Sequence, residues 1–242
     1  MRPLSRTGNY ISTRIGRAIA DHKLIEDKDK ILVAVSGGKD SMALLTLLNE
    51  RRKWAPVTYE LIAMHVQSDF HCAGCVHTKT LKKFFEERKI RHHFAKIRIV
   101  DKEKGVSCFW CSWNRRKALF LAAEELGCNK IAFGHHRDDI VETLLLNMLY
   151  QGEFAAMNPR QELFKGKITL IRPLCYVNED ALRKFAKESG FPSQMCKCPN
   201  SKTSKRRVVK EFLNEVEKDC DHVKQNVFNS MSRVNKEYLQ VV

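Results

Sequence analysis

Five apolar residues, Ile31-Leu32-Val33-Ala34-Val35, run directly into Ser36-Gly37-Gly38-Lys39-Asp40-Ser41 and from there into a helical pattern over Lys39 to Arg52. A short β-branched run of this kind is a strand buried on both faces. A buried strand that feeds a glycine-rich turn opening a helix is the first half of a parallel crossover. The turn also has a chemistry. Its glycines let main-chain N–H groups approach an anion, the helix amino terminus adds positive potential, Lys39 supplies a mobile charge, and Ser36 and Ser41 supply hydroxyls. It reads as a phosphate cradle. It is not a Walker loop, which needs Gly where Val33 stands and Ser or Thr where Asp40 stands, and it lacks G-x-G-x-x-G.

The rest of the chain repeats the pattern. Strands are predicted at Tyr59 to Val66, His93 to Ile97, Lys130 to Phe133 and Ile168 to Ile171, separated by helices at Thr78 to Lys89, Asn114 to Leu126 and Asp138 to Tyr150. In the helix before Gly127, Leu119, Ala122, Ala123 and Leu126 form a core stripe at i, i+3, i+4, i+7. Asn178 caps a further helix with Glu179 and Asp180 in its first turn. The fold class is therefore α/β, with a parallel five-stranded sheet. Residues 1–30 form an amino-terminal helical segment, 31–176 the sheet domain, and 177–242 a small helical carboxyl-terminal region.

Two further segments join the cradle at the carboxyl ends of strands, where open α/β sheets bind ligands. One is Gly134-His135-His136-Arg137-Asp138-Asp139, entering a helix with Glu142 and Thr143; the other is Met64-His65. The cradle resembles the PP-loop of the ATP pyrophosphatases, a Rossmann-like family that holds ATP so that its α-phosphorus is attacked and pyrophosphate leaves. The resemblance implies ATP binding by Ala34, Ser36, Gly37, Gly38, Lys39, Asp40, Ser41, Met64, His65, Gly134 and Asp139. It further implies that Asp40 helps hold Mg²⁺, that Lys39 and Ser36 neutralise the departing pyrophosphate, that Met64-His65 flank the adenine, and that Asp138 and Asp139 lie near the metal or the reacting phosphate.

Nine cysteines are too sparse for a disulfide scaffold in a chain of 242 residues, so their spacing has to decide their use. Cys108-Phe109-Trp110-Cys111, with a distant thiol at Cys196 or Cys198, suits a metal or iron–sulfur site. Together with Ile15-Gly16-Arg17, Asn147-Met148-Leu149-Tyr150, Ile171-Arg172-Pro173-Leu174 and Phe191-Pro192, the pattern is similar to the tRNA 2-thiocytidine synthetase branch of the PP-loop proteins over nearly the whole chain. That resemblance implies a 4Fe-4S cluster on Cys108, Cys111 and one of the late pair, with Cys196 the better match and Cys198 the alternative. It also implies that Lys39, Asp40, Asp138 and the three cluster thiols are catalytic. Zinc remains the other reading of the thiol set. Cys72-Ala73-Gly74-Cys75, flanked by His71 and His77, departs from the branch; it relays a persulfide, binds zinc, or is bland. The spacer from Cys75 to Cys108 exceeds the roughly 15 to 20 residues of zinc ribbons. Cys128, Cys175 and Cys220 read as ordinary thiols, and His92-His93 as structural or surface residues.

A net charge of +15 favours a polyanionic partner, because Lys and Arg on a phosphate backbone release condensed counterions. The expected partners are tRNA, met by Lys202, Lys205, Arg206, Arg207 and Lys210 with Lys79, Lys82 and Lys83, and a sulfur donor such as a cysteine desulfurase or persulfide carrier. No apolar run approaches a membrane span and no secretory h-region opens the chain, so no membrane partner and a cytoplasmic location are expected; a homodimer is left open. The expected activity is ATP-dependent tRNA thiolation, cytidine to 2-thiocytidine. The rivals are 2-thiouridine formation, lysidine-type amination, a small-molecule ATP pyrophosphatase, and an iron–sulfur redox or RNA-binding module without thiolation activity.

Overall fold

The computed structural model describes residues 4–69, 78–98, 108–191 and 205–238, with the backbone alone at 108 and 109. The described residues divide into two compact units, one of residues up to 136 with 158–200, the other of 137–157 with 201 onward.

The first unit is built on one sheet. Strand β1 (Asp29–Ala34) pairs in parallel with β2 (Tyr59–Ser68) on one side and with β4 (Lys130–Ala132) on the other. Outside β2 lies β3 (Arg91–Ile97), and outside β4 lies β6 (Ile168–Ile171), both parallel to their neighbours. A sixth strand, β5 (Arg160–Leu163), adds antiparallel to β6, giving the order β3-β2-β1-β4-β6-β5. This strand corrects the expected five-stranded, all-parallel sheet. Arg160-Gln161-Glu162-Leu163 is a half-exposed edge strand with no apolar run to announce it, joined to β6 by a tight turn in which Phe164, Lys165 and Gly166 all have positive φ.

The order places the point where successive crossovers change direction between β1 and β4, so the loops after these two strands flank one crevice. The opposite ends of the same strands are pinned by charge. Lys130, buried, lies 2.7 Å from Asp29 and 3.0 Å from Glu26, and Asn129 donates to Asp29 at 2.7 Å. A buried ammonium needs such partners, and here they fix the register of β1 against β4.

Around the sheet run α1 (Arg6–His22), α2 (Lys39–Arg51), α3 (Thr78–Glu87), α4 (Cys108–Glu125) and α6 (Glu179–Glu188). Leu119, Ala122 and Ala123 of α4 pack on Leu32, Ile62, Met64 and Ile131 of the sheet, as the stripe predicts. Asn178 caps α6 by accepting from the Ala181 amide at 3.1 Å. α4 begins at Cys108, six residues before the expected Asn114, because its first two turns carry no core stripe for periodicity to detect.

The second unit holds α5 (Arg137–Gln151), α7 (Lys205–Val216) and α8 (Val223–Ser230). Val141 of α5 meets Val209 and Leu213 of α7, with Val223, Val227 and Phe228 around them. α5 thus belongs with the late helices, and α6 with the sheet. Among the described residues no helix is long and apolar enough to cross a membrane.

Candidate active site

The cradle after β1 is held by its own hydroxyls. Gly37 turns at φ +85°, a conformation that side chains disfavour. Ser36 Oγ accepts from the Gly38 amide at 3.2 Å, Ser41 Oγ donates to the Gly38 carbonyl at 3.0 Å, and the two hydroxyls lie 3.1 Å apart. The residue capping α2 is Gly38, which has no side chain to satisfy the first amides of the helix. An α2 amino terminus left without a side-chain cap is a ready anion site.

Lys39 Nζ lies 3.1 Å from Asp40 Oδ2 and 3.1 Å from Glu179 Oε1 of α6. Burial alone would pull the amine down, but the two carboxylates outweigh it and hold Lys39 above its ordinary value, so it stays charged. Glu179 is a residue that sequence reasoning placed only in a helix cap; it reaches the cradle across 140 positions of chain, and no local motif marks it.

Gly134 closes the other side. A Cβ there would stand 2.9 Å from Ser41 N and 3.0 Å from Asp40 C, so the chain leaving β4 lies directly on the cradle backbone. Only glycine permits that approach.

Beside the crevice, the Val35 amide donates to the Met64 carbonyl at 2.8 Å, and His65 Nδ1 lies 2.7 Å from the Val35 carbonyl. A carbonyl can only accept, so Nδ1 carries a proton. Burial depresses the His65 pKa, the hydrogen bond to Val35 opposes this, and Arg115 of α4 adds to the depression. Met64 is fully buried in the core, so it can offer a nucleotide its main chain and not its side chain.

In the second unit Asp138 and Asp139 occupy the first turn of α5. Asp138 is buried and pairs with Arg137 at 3.4 Å; Arg206 of α7 lies 3.4 Å from Asp139 and 3.8 Å from Glu142 and donates to Thr143 at 3.1 Å. Arg207 pairs with Glu211 at 2.7 Å and Lys205 sits 4.6 Å over the Tyr150 ring. The two arginines of the basic run thus each have a carboxylate beside them while staying about half exposed, which the run of basic residues in the sequence does not reveal. Lys82 and Lys83 of α3 likewise face Glu86 and Glu87 at 3.7 and 4.0 Å.

The cysteines separate by environment. Cys108 and Cys111 fall one turn apart in the start of α4, not ahead of it, a spacing that puts i and i+3 on neighbouring positions of one face. The Cys111 thiol is free and half-buried. Cys175 is fully buried with its thiol pushed up to about 12 by burial, and Cys128 is buried and raised for the same reason, so both are inert. Cys220 is half-buried, and His92 packs between Phe85 and Phe94 with centroids 5.4 and 5.5 Å away, a structural role. Cys72, Cys75, Cys196, Cys198 and Lys202 lie outside the described residues, as does the side chain of Cys108. Among the described residues no three metal-binding side chains converge.

This geometry has relatives. The PP-loop domain family matches residues 9–216. The tRNA-cytidine(32) 2-sulfurtransferase of Geobacter sulfurreducens is 41% identical over 237 residues, 95% of this chain and 91% of that protein. The protein of the same name from Polynucleobacter necessarius is 38% identical, across 93% of this chain and 76% of its own length. Among solved structures, the U34-tRNA thiolase NcsA from Methanococcus maripaludis with its [4Fe-4S] cluster superposes with a TM-score of 0.78 over 97% of this chain and 81% of that one, at 24% identity, a likeness of fold. A strand feeding a glycine-capped helix, Lys39 held charged over the turn, and Gly134 laid on its backbone are thus the features of a family that also matches by sequence, and the chain belongs to the PP-loop domain family.

Proposed function

We propose that this protein thiolates cytidine in tRNA at the expense of ATP, at the position named for its relatives, cytidine 32. The observation that carries the reading is the union, in one chain, of a phosphate cradle and a C-x-x-C whose Cys111 thiol is accessible, in a protein related over nine-tenths of its length to tRNA-cytidine(32) 2-sulfurtransferases.

The chemistry follows from the leaving group. A pyrimidine C2 oxygen departs badly, so the carbonyl oxygen first attacks the α-phosphorus of ATP, forming an O–P bond and releasing pyrophosphate. A sulfide equivalent then attacks C2, and the oxygen leaves with AMP, with no net change of oxidation state. The α2 amino terminus and the Gly37–Gly38 amides bind the phosphates, and Lys39 offsets the charge that grows on the departing pyrophosphate. Glu179 holds the Lys39 ammonium in place before ATP arrives. Asp40 fits a Mg²⁺ role, being a carboxylate at the cradle rim beside the amine that phosphate would draw away. Asp138 and Asp139, four and five positions beyond Gly134 in the chain, serve the same reaction. Neutral His65 and the Met64 main chain border the adenine.

The donor set of Cys108, Cys111 and Cys196, with Cys198 as the alternative third ligand, fits a soft centre and not Mg²⁺ or Ca²⁺. A 4Fe-4S cluster there would supply an iron with an open position for sulfur. Positions i and i+3 are neighbours on one helix face, a spacing suited to two ligands of one centre. The target base lies in a loop, unpaired, and is splayed out for reaction. Lys202, Lys205, Arg206, Arg207 and Lys210 contact its backbone. The protein acts in the cytoplasm and receives sulfur from a cysteine desulfurase or persulfide carrier, whose sulfane sulfur reaches the sulfide level with two electrons from a dithiol reductant that is itself oxidised to a disulfide.

The test is product analysis. With α-labelled ATP, unmodified tRNA and sulfide, anaerobic protein is expected to form AMP and pyrophosphate only when tRNA is present. Formation of ADP and inorganic phosphate would overturn the proposal.

A further inference from the structure

The first turns of α4 expose an unusual surface. Trp110, Trp113, Lys117 and Leu121 recur at i, i+3, i+7 and i+11, and so share one face. Leu119, Ala122 and Ala123, half a helical turn away, face the core. The indoles of Trp110 and Trp113 stack in parallel, centroids 5.5 Å apart and planes 6° from coincidence, yet each is 46% exposed. Lys117 Nζ lies 5.5 Å from the Trp113 ring centroid. An outward helix face is ordinarily polar, and two large aromatic rings left in water there forgo nearly half of their burial.

Charge says what covers them. Beside the indoles the helix carries Arg115, Arg116 and Lys117, and its acidic residues, Glu124 and Glu125, come only in the last turn. Half-exposed aromatic rings beside cations are a surface on which unpaired bases stack while their phosphates meet the positive charges. A lipid or apolar protein partner would need a broader apolar patch, to which the described residues of this face add only Leu121.

We propose that Trp110, Trp113 and Lys117 form a stacking site for an unpaired nucleobase of the RNA substrate, separate from the ATP cradle. The inference rests on the tRNA reading and deepens it. One base adds to the indole column and its phosphate pairs with Lys117. Because Trp110 lies between Cys108 and Cys111, the site holds a loop nucleotide beside the thiols.

The experiment uses the full chain, purified anaerobically, in a Trp54→Phe background so that only the two stacked indoles fluoresce. A single-stranded pyrimidine oligonucleotide is expected to quench them, whereas polyphosphate, which has charge and no bases, is not. Trp113→Leu, outside the C-x-x-C, should weaken tRNA binding roughly tenfold to a hundredfold, the usual range for losing one stacked base, while Trp113→Phe restores most of it. Iron content confirms that both variants keep their metal. Unchanged tRNA affinity in Trp113→Leu, or equal quenching by polyphosphate, would overturn the stacking site in favour of no partner or an acidic one. Tryptophan-independent binding with tRNA-dependent AMP formation intact would sink this inference alone; absence of tRNA-dependent AMP in the wild-type protein would sink the functional reading instead.

Discussion

Replacing Gly134 by alanine tests how the cradle is assembled. The added methyl would stand 2.9 Å from Ser41 N, 3.0 Å from Asp40 C and 3.0 Å from Ser41 Cα, all of them main-chain atoms. Comfortable separations for such contacts are about 3.5 to 4.0 Å, so the entry to α2 or the end of β4 must move by about 0.5 to 1 Å. Overpacking of this kind costs about 1 to 3 kcal/mol of stability. The functional cost should be larger, since a displacement near 1 Å at a reacting group can lower the rate about a hundredfold. Gly166→Ala provides the control. Gly166 also has a disfavoured φ of +86°, but nothing lies within 4 Å of its Cβ position, so it loses stability without moving the cradle. The assay pairs thermal unfolding with tRNA-dependent pyrophosphate release. Gly134→Ala is expected to lose nearly all turnover and Gly166→Ala to keep it at a similar loss of melting temperature. Wild-type turnover in Gly134→Ala, or parallel losses in both variants, would refute the argument.

Other outcomes follow from the same contacts. Lys39→Ala should abolish pyrophosphate release, and Glu179→Gln, which removes the carboxylate holding the amine in place from 3.1 Å, should weaken ATP binding several-fold in a calorimetric titration; unchanged or tighter binding would contradict that holding role. Cys111→Ser should lose iron and thiolation while keeping tRNA-dependent AMP formation; stoichiometric zinc in anaerobic wild-type protein would replace the cluster by a zinc site. His65 has a folded pKa below its ordinary 6.5, mainly through burial, so the unfolded chain takes up the proton first as pH falls. Stability is then fully present above 6.5 and declines as pH drops through 6.5 toward the lower folded value. Urea unfolding across that window should show the slope in wild type and its reduction in His65→Gln.

The cradle was legible because everything it needs is local: strand, two glycines, lysine and helix are contiguous from Ile31 to Arg51. The buried thiols were legible as well, since Cys128 and Cys175 stand away from any ligand spacing. Other features depend on contacts that sequence does not print. Glu179 reaches Lys39 only because α6 packs on α2. The edge strand β5 is held by pairing with β6 and not by its own polar residues. The start of α4 faces outward, so no hydrophobic period marks it, and the stacked tryptophans appear only when the helix places positions i and i+3 side by side. The carboxylates of Asp139 and Glu142 beside Arg206 are likewise invisible in the basic run, since they lie more than sixty positions away in the chain.

The central claim is that this cradle activates cytidine in tRNA for sulfur transfer. Mass spectrometry of tRNA nucleosides from cells lacking the protein measures it directly. The account predicts that 2-thiocytidine disappears, returns with the wild-type chain, and fails to return with Lys39→Ala. Undiminished 2-thiocytidine in those cells, or loss of a different thiolated nucleoside alone, would contradict it.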